Sequence, residues 1–233
     1  MIDKIPLLLV PGVLCDASLW AHQMHHLADV AEMEVVETTA DDSIAAMVDR
    51  ALETAPPRFA IAGLSMGGYV ALECGRRAPE RIIRLALLNT SARADNAAAR
   101  ERRLELIEQA ERGRFKGVTP RLMPAFVHPD RAEEPALVEA ISTMAETVGR
   151  DAFIRQQHAV MARGDSRADL ATIDVPTIVI CGREDAATPL SLSEEIAAGI
   201  PDARLCVIEE CGHMSPMERP HAVTALLRDW LLR

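Results

Sequence analysis

A serine, Ser65, stands between Gly63 and Gly67, each two residues away. An apolar run typical of a β-strand, Phe59–Ala62, precedes it, and a run typical of a helix follows at once. A serine on so sharp a strand-to-helix turn presents its hydroxyl for attack, and glycine fits where a side chain would crowd the turn. The pattern therefore predicts that Ser65 is a nucleophile.

Two later loops carry candidates for the groups that such a serine needs. A neutral hydroxyl is a weak nucleophile, so it requires a base within hydrogen-bond reach and a third group that orients the base. Asp185 lies in the loop after the strand-like run Thr177–Cys181, and His213 lies in the loop after Leu205–Ile208. Such loops sit at the carboxyl ends of strands in open α/β sheets, which is where sites form.

The elements that must position these residues alternate between apolar strand-like runs and helical patterns. This alternation predicts an α/β fold with a doubly wound, mostly parallel sheet of about six strands. The predicted strands are Leu7–Val10, Glu34–Glu37, Phe59–Ala62, Leu85–Asn89, Thr177–Cys181 and Leu205–Ile208. The predicted helices are Leu19–Asp29, Ser43–Thr54, Met66–Ala78, Ser191–Ala198 and Pro220–Leu232.

The stretch from residue 92 to residue 165 breaks this alternation, because it contains no convincing strand. It reads as helices at Asn96–Glu111, Pro120–Val127, Arg131–Val148 and Ala152–Arg163. Glycines just past three of these ends are the expected stop signals. We expect a helical cap over 92–165, inserted into a core made of 1–91 and 166–233.

The composition limits the classes of protein to which the chain can belong. The formal net charge of −10 argues against nucleic acid as a partner, because phosphate binding needs a basic surface. Five cysteines without a CxxC pair indicate free thiols in a reducing compartment. The N-terminal residues do not resemble a signal peptide, and no window is apolar enough to cross a bilayer. A cytoplasmic location is the expectation.

Four stretches together resemble the α/β-hydrolase family, in particular its small, cofactor-free esterases and lactonases. They are residues 7–20, 63–68, 182–189 and 212–220. The order Ser65, Asp185, His213 is the order of that family. The resemblance implies an α/β-hydrolase fold, no cofactor and a serine esterase triad. In it Ser65 attacks, His213 is general base and then acid, and Asp185 holds the imidazole.

Alternatives remain for the acid and for the loop that carries it. Asp95, soon after the strand ending at Asn89, is a rival acid, since some relatives place the acid there. Asp185 could instead cap a helix that Thr188 and Pro189 would start.

The resemblance also implies an oxyanion hole made of two backbone N–H groups, those of Met66 and Val13. Pro11 stands where the family usually has histidine, and Leu14 is the alternative donor. Losing one such donor typically lowers turnover about 10²- to 10³-fold. We expect an adaptable aliphatic pocket, because aromatic residues form only 3% of the chain and methionine is abundant. Its candidate lining residues are Leu14, Leu122, Met123, Phe126, Met144, Phe153 and Met161.

The function predicted from these residues is hydrolysis of a small carboxylic ester, thioester or lactone. The same triad can also transfer the acyl group to another acceptor, as in perhydrolysis, or cleave carbon–carbon bonds. A ligand-binding member of the fold with little turnover is the alternative outside catalysis.

Two further groups of residues can be interpreted either structurally or functionally. His22, His25 and His26 have a spacing that could bind a metal, but no Cys or carboxylate pattern accompanies them, so a solvated helix face and no metal are expected. A basic run favours helix ion pairs, with an acyl-carrier protein or CoA-linked substrate as the alternative partner. Its members are Arg93, Arg100, Arg102, Arg103, Arg112, Arg114, Lys116, Arg121 and Arg131.

Overall fold

The computed structural model describes residues 4–119 and 122–233 and contains one central six-stranded sheet. The strands are β1 (Ile5–Val10), β2 (Ala31–Val35), β3 (Phe59–Leu64), β4 (Ile82–Leu88), β5 (Thr177–Gly182) and β6 (Arg204–Ile208). Their order in the sheet is β2-β1-β3-β4-β5-β6, and every neighbouring pair is parallel. The predicted fold class is confirmed.

Burial on both faces explains why the central strands are continuous apolar runs. Every residue of β3 and of β5 is buried. The edge strand β2 instead alternates between buried or half-buried and exposed residues. The prediction of Glu34–Glu37 for this strand was therefore displaced, because the register begins with Ala31 opposite Ile5.

Eight α-helices lie among the described residues. They are α1 (Ala21–His26), α2 (Ile44–Thr54), α3 (Met66–Arg77), α4 (Ala97–Gln109), α5 (Pro135–Ala162), α6 (Leu190–Gly199), α7 (Ser215–Glu218) and α8 (Pro220–Leu232). The predicted first helix, Leu19–Asp29, is shorter: a 3₁₀ turn, Ala17–Trp20, leads into α1.

Two apolar cores form on the two faces of the sheet, because successive side chains of a strand point to opposite sides. Leu8 and Val10 of β1 pack with α2, α3 and α6. Leu7 and Leu9 pack with Trp20, with α8 and with the residues between β4 and β5. Both faces are thereby covered, and the carboxyl ends of the strands remain as the edge where loops meet.

The segment between β4 and β5 contains helices and, in the part of it that the structure describes, no strand. The helix α4 starts after Asn96, whose side chain accepts from the Ala99 N–H at 2.8 Å. The long helix α5 is broken at Gly149, whose φ of 79° places it in the left-handed region that favours glycine. The predicted helix Pro120–Val127 is a short 3₁₀ turn, Met123–Ala125, and its first two residues lie outside the described range. The limits of a cap at 92 and 165 stay a prediction.

None of the helices in residues 4–119 and 122–233 combines the length and the hydrophobicity needed to cross a membrane. All five cysteines are free thiols, as the sequence predicted.

Candidate active site

Ser65 occupies a strained junction between β3 and α3. Its φ of 53° and ψ of −113° are a combination that a residue with a side chain rarely adopts. The Ser65 N–H donates to the Leu88 carbonyl at 3.0 Å, and the Ser65 carbonyl accepts from the Gly68 N–H at 2.9 Å and from the Thr90 hydroxyl at 2.7 Å. Strain of this kind persists only where surrounding bonds enforce it, and it concentrates at functional sites.

Steric contacts explain why glycine occupies the positions on either side of this serine. A Cβ on Gly63 would lie 2.1 Å from the Gly67 carbonyl oxygen, and a Cβ on Gly67 would lie 2.1 Å from the Val10 carbonyl oxygen. Helix α3 therefore packs its first turn directly on the backbone of β1. Only glycine allows this approach without moving backbone.

His213 and Asp185 are joined at the ends of β6 and β5. The His213 Nδ1 lies 3.0 Å from Asp185 Oδ1 and 2.9 Å from Oδ2, and both side chains are buried. The Thr188 hydroxyl donates to Asp185 Oδ2 at 2.6 Å, and the Thr188 N–H donates to Oδ1 at 2.8 Å. The helix that Thr188 and Pro189 were predicted to start begins at Leu190, and the Thr188 hydroxyl is bonded to this carboxylate.

These contacts decide the ionisation of Asp185. Burial alone raises the pKa of its carboxyl, but the neighbouring His213 and the hydrogen bonds of Thr188 outweigh burial and lower the pKa to about 2. Asp185 is therefore a carboxylate at neutral pH, and it faces the ring nitrogen of His213.

Asn89, which the sequence interpretation treated only as the end of a strand, connects both loops. Its Nδ2 donates to Asp185 Oδ2 at 2.9 Å and to the Gly212 carbonyl at 3.1 Å, and its Oδ1 accepts from the Ser215 hydroxyl at 2.6 Å. Asn89 is fully buried and has a φ of 46°. Its place at the carboxyl end of β4, level with the other site loops, was a signal that could have revealed it.

The loop that carries His213 is held by the segment Phe126–His128. The Phe126 carbonyl accepts from the His213 and Met214 N–H groups, both at 2.9 Å. The aromatic ring of Phe126 lies 6.4 Å from the His213 ring, centroid to centroid. One carbonyl thus fixes the backbone on both sides of the His213 Cα.

A buried carboxylate, Glu218, also connects the segment Phe126–His128 with the loop that carries His213. It accepts from the N–H groups of Gly212 at 3.0 Å, of Met214 at 3.1 Å and of His128 at 2.7 Å. Burial raises the pKa of Glu218, and the three backbone donors only partly offset that effect. No sequence pattern had singled out Glu218 as a site residue.

The relation between Ser65 and His213 is set by the sheet. Ser65 follows β3 and bonds to Leu88 at the end of β4, next to Asn89, which bonds to the carbonyl that precedes His213. Among the described residues the structure records no hydrogen bond between the Ser65 hydroxyl and the His213 ring. In unliganded enzymes such bonds are often long and tighten only with substrate.

A turn at Gly12–Cys15 packs against the serine. A Cβ on Gly12 would lie 3.3 Å from the Ser65 Cβ. The Cys15 N–H donates to the Gly12 carbonyl at 3.2 Å, and the Leu14 N–H donates to Gln156 Oε1 at 3.0 Å. For the Val13 and Met66 N–H groups, the structure gives no hydrogen-bond acceptor within the described residues.

The other predicted site residues lie in different surroundings. Asp95, the rival acid, pairs with Arg103 at 2.7 Å and with Arg163 at 2.8 Å, and it is not bonded to His213. The side chains of Met123, Met144 and Phe153 are buried in the core that also contains Leu14, and Phe126 packs against it. Met161 is buried outside that core, whereas Leu122 is 46% exposed.

The histidine and arginine groups have local partners. The His22 ring centroid lies 4.2 Å from that of His26 in a tilted contact and 4.6 Å from that of His221 in an edge-on contact, and His25 and His26 are exposed. No set of three metal-binding side chains occurs among residues 4–119 and 122–233. In the basic run, Arg112 and Arg131 pair with carboxylates at the expected spacings of four and three residues. Arg93 and Arg103 pair instead with Glu195 and Asp95, and Arg121 lies outside the described residues.

This chain is similar to known hydrolases in sequence and in structure. The model of a family described as the alpha/beta hydrolase family matches residues 7–226. The proposed carbamate hydrolase RutD of Azorhizobium caulinodans is 28% identical over 95% of this chain and 89% of its own length. The pimeloyl-[acyl-carrier protein] methyl ester esterase of Aromatoleum aromaticum is 27% identical over 80% of this chain and 79% of its own length.

Among solved structures, a thermophilic esterase from Thermogutta terrifontis superposes with a TM-score of 0.88. It is 29% identical, and the match covers 99% of this chain and 90% of that chain. Sheet, flanking helices and the helical segment between β4 and β5 are all included in a match of this extent.

Proposed function

This chain belongs to the alpha/beta hydrolase family, and from that premise we propose that it cleaves a small carboxylic ester, thioester or lactone through an acyl-enzyme on Ser65. Its relatives are hydrolases, two of them named as esterases. The observation that carries the finer proposal is the strained backbone of Ser65, at the same sheet edge as the bonded pair of His213 and Asp185.

In the proposed first step, the Ser65 hydroxyl oxygen attacks the acyl carbon while His213 Nε2 takes the proton. Asp185 accepts the hydrogen bond from Nδ1–H, so it holds the ring and stabilises the imidazolium that forms. The tetrahedral intermediate collapses, and the leaving alcohol, thiol or lactone alkoxide receives the proton from His213. Water, deprotonated by His213, then attacks the acyl-enzyme and releases the acid and Ser65.

The hydrogen bonds of the Gly12–Cys15 turn support Val13 as one oxyanion donor. The Cys15 N–H is used by Gly12 and the Leu14 N–H is used by Gln156, whereas the Val13 N–H has no recorded acceptor among the described residues and stays available. The Met66 N–H, at the first residue of α3, is the second donor and lies at the positive end of the helix dipole. The alternative assignment to Leu14 has no free N–H to offer.

A phosphonate probe together with Ser65→Ala tests the proposal. We expect one probe per chain on Ser65, a burst with short-chain p-nitrophenyl esters, and a loss of about 10⁶ in kcat in Ser65→Ala. Activity that survives in Ser65→Ala, or a label on another residue, would refute the acyl-enzyme. No burst and no turnover across acyl esters, thioesters and lactones would instead support a ligand-binding protein.

An acyl-carrier-linked substrate is the finer possibility for the partner. It rests on relatives that are named as pimeloyl-[acyl-carrier protein] methyl ester esterases. Against it, several arginines of the basic run are already paired with carboxylates of this chain. Equal kcat/KM for carrier-linked and free methyl esters, at low and at high salt, would exclude carrier docking.

A further inference from the structure

We propose that Gln156 of α5 is a positioning residue for the oxyanion turn, so that this helix takes part in transition-state stabilisation. The inference rests on the proposed function, and it names a residue that lies 142 positions from the turn it would hold. The turn is Gly12–Cys15, and the donor whose direction is at stake is the Val13 N–H.

The contacts of Gln156 fix its side chain in one orientation. It is fully buried, and its Oε1 accepts from the Leu14 N–H at 3.0 Å. Its Nε2 donates to the Thr38 carbonyl at 3.2 Å. Because one partner is a donor and the other an acceptor, rotating the amide by 180° would lose both bonds. A buried side chain bonded at both ends is a rigid support for the turn.

The turn requires such a support, because Leu14 has a φ of 58°. This region is costly for a residue with a side chain, and it persists only where neighbours enforce it. Relief of this strain would change the backbone angles of Val13 and Leu14, which would turn the Leu14 N–H away from Gln156 and shift the adjacent Gly12–Val13 peptide that carries the Val13 N–H. The bond to Gln156 therefore favours the strained form of the turn over the relaxed one.

The consequence for the chemistry follows from where the turn lies. Gly12 packs against Ser65, so the turn borders the position at which a negative oxygen would form. Oxyanion stabilisation depends on donors that are oriented before the reaction begins. A turn that alternates between two forms presents the Val13 N–H in the productive direction for only part of the time, and kcat falls in proportion.

Gln157 provides a matched control. It is the next residue of α5, is 3% exposed and accepts one hydrogen bond, from Arg103 at 2.8 Å, away from the turn. Gln156→Met and Gln157→Met remove the same amide from neighbouring buried positions with little change in volume. Both are expected to lower the melting temperature, but only the first touches the oxyanion turn.

The test measures kcat per Ser65 labelled by a phosphonate, so that unfolded protein is not counted. For Gln156→Met we expect a fall in kcat of about 10- to 100-fold with KM nearly unchanged. Affinity for a trifluoromethyl ketone, whose adduct carries an oxyanion, should weaken by a similar factor. Gln157→Met should change both values by less than about twofold. Equal losses in the two variants, or an unchanged ketone affinity in Gln156→Met, would overturn the inference.

Gln156→Glu is the second variant, because it keeps an acceptor for the Leu14 N–H while it replaces the amide that donates to Thr38 with an acidic group. Its kcat per labelled serine should exceed that of Gln156→Met, or stay within about tenfold of the wild type if Gln156→Met does not fold. A lower value in either comparison would contradict the role of the Leu14 bond. Activity that survives Ser65→Ala would instead refute the proposed function itself, so the two failures are distinguishable.

Discussion

At the scale of the residue, Asp185 has the most heavily bonded side chain of the candidate site. Its two oxygens accept from Asn89 Nδ2, from the Ala187 N–H and from Thr188, besides facing His213. So many donors explain how a buried carboxyl keeps its charge. Its function in the proposed mechanism is to hold one tautomer of the His213 ring.

We therefore predict that Asp185→Asn lowers kcat by about 10⁴, the magnitude known for the same change in a serine protease. The amide has nearly the shape of the carboxylate but cannot stabilise an imidazolium. The measurement is kcat per labelled Ser65 with a short-chain ester. A loss of less than tenfold would mean that Asp185 does not orient His213 in the reaction.

The same variant should change the acid stability of the protein. The pKa of Asp185 falls from 3.8 in an unperturbed group to about 2 in the folded protein. A carboxyl with a depressed folded-state pKa stabilises the fold above about pH 4, and this contribution is lost as the pH falls from about 4 to about 2. In that window the free energy of unfolding should drop less in Asp185→Asn than in the wild type, as urea titrations can measure. Parallel pH profiles would contradict the assignment.

Sequence reasoning reached the residues whose signal is local and missed those whose partners are distant. Ser65 and His213 lie within short patterns of glycine and apolar residues that are readable without the fold. Asn89 and Gln156 are single amides whose partners lie 96 and 142 positions away in the chain. No local pattern marks Gln156, and only a position at the end of a strand marks Asn89, because their contacts exist only after the sheet has formed.

At the scale of the element, the contact between α3 and β1 fixes the serine turn. We predict that Gly67→Ala is strongly destabilising, because its Cβ would lie 2.1 Å from the Val10 carbonyl oxygen and would push the helix off the strand. The free energy of unfolding should fall by about 1–3 kcal/mol or more. The kcat should also fall, because Ser65 moves with the helix.

The control lies on the same helix. A Cβ on Gly75 of α3 would meet nothing within 4 Å. Gly75→Ala should therefore stabilise the protein by about 0.5–1 kcal/mol, since alanine favours a helix over glycine. Denaturant unfolding of both variants checks the pair. Equal effects of the two changes would show that the close approach of α3 to β1 is not what requires glycine at 67.

The elements themselves were predictable where one interaction decides them. The buried runs of β3 and β5 are long and apolar, so their identification was secure, and Gly149 marked the break in α5. The edge strand β2 was placed three residues too late, because exposed Glu32 and Glu34 interrupt the continuous apolar run by which the other strands were predicted. Its register depends on pairing with β1, which the local sequence does not contain.

At the scale of the whole molecule, Asp95 connects α4 with the end of α5. Its side chain is 5% exposed and pairs with Arg103 and with Arg163, which is itself 8% exposed. Removing one partner of a buried ion pair leaves an uncompensated charge and typically costs about 3–5 kcal/mol. We predict a loss of this size in the free energy of unfolding for Asp95→Asn.

The same variant separates the two candidate acids. Because Asp95 is bonded to arginines and Asp185 to His213, kcat per labelled Ser65 in Asp95→Asn should stay within about threefold of the wild type. A drop comparable to that expected for Asp185→Asn would make Asp95 the acid after all. Measuring stability and kcat on the same preparation keeps the two effects apart.

The Phe126 carbonyl and the Glu218 carboxylate have a practical meaning for anyone who wishes to exchange specificity by grafting helices between relatives. The transplanted piece would bring its own backbone to the point where His213 and Met214 now find their acceptor. A chimera that changes residues 126–128 must therefore also have residues 212–218 redesigned. Otherwise the His213 ring is no longer held in position. We expect active hybrids when both stretches come from the same parent protein.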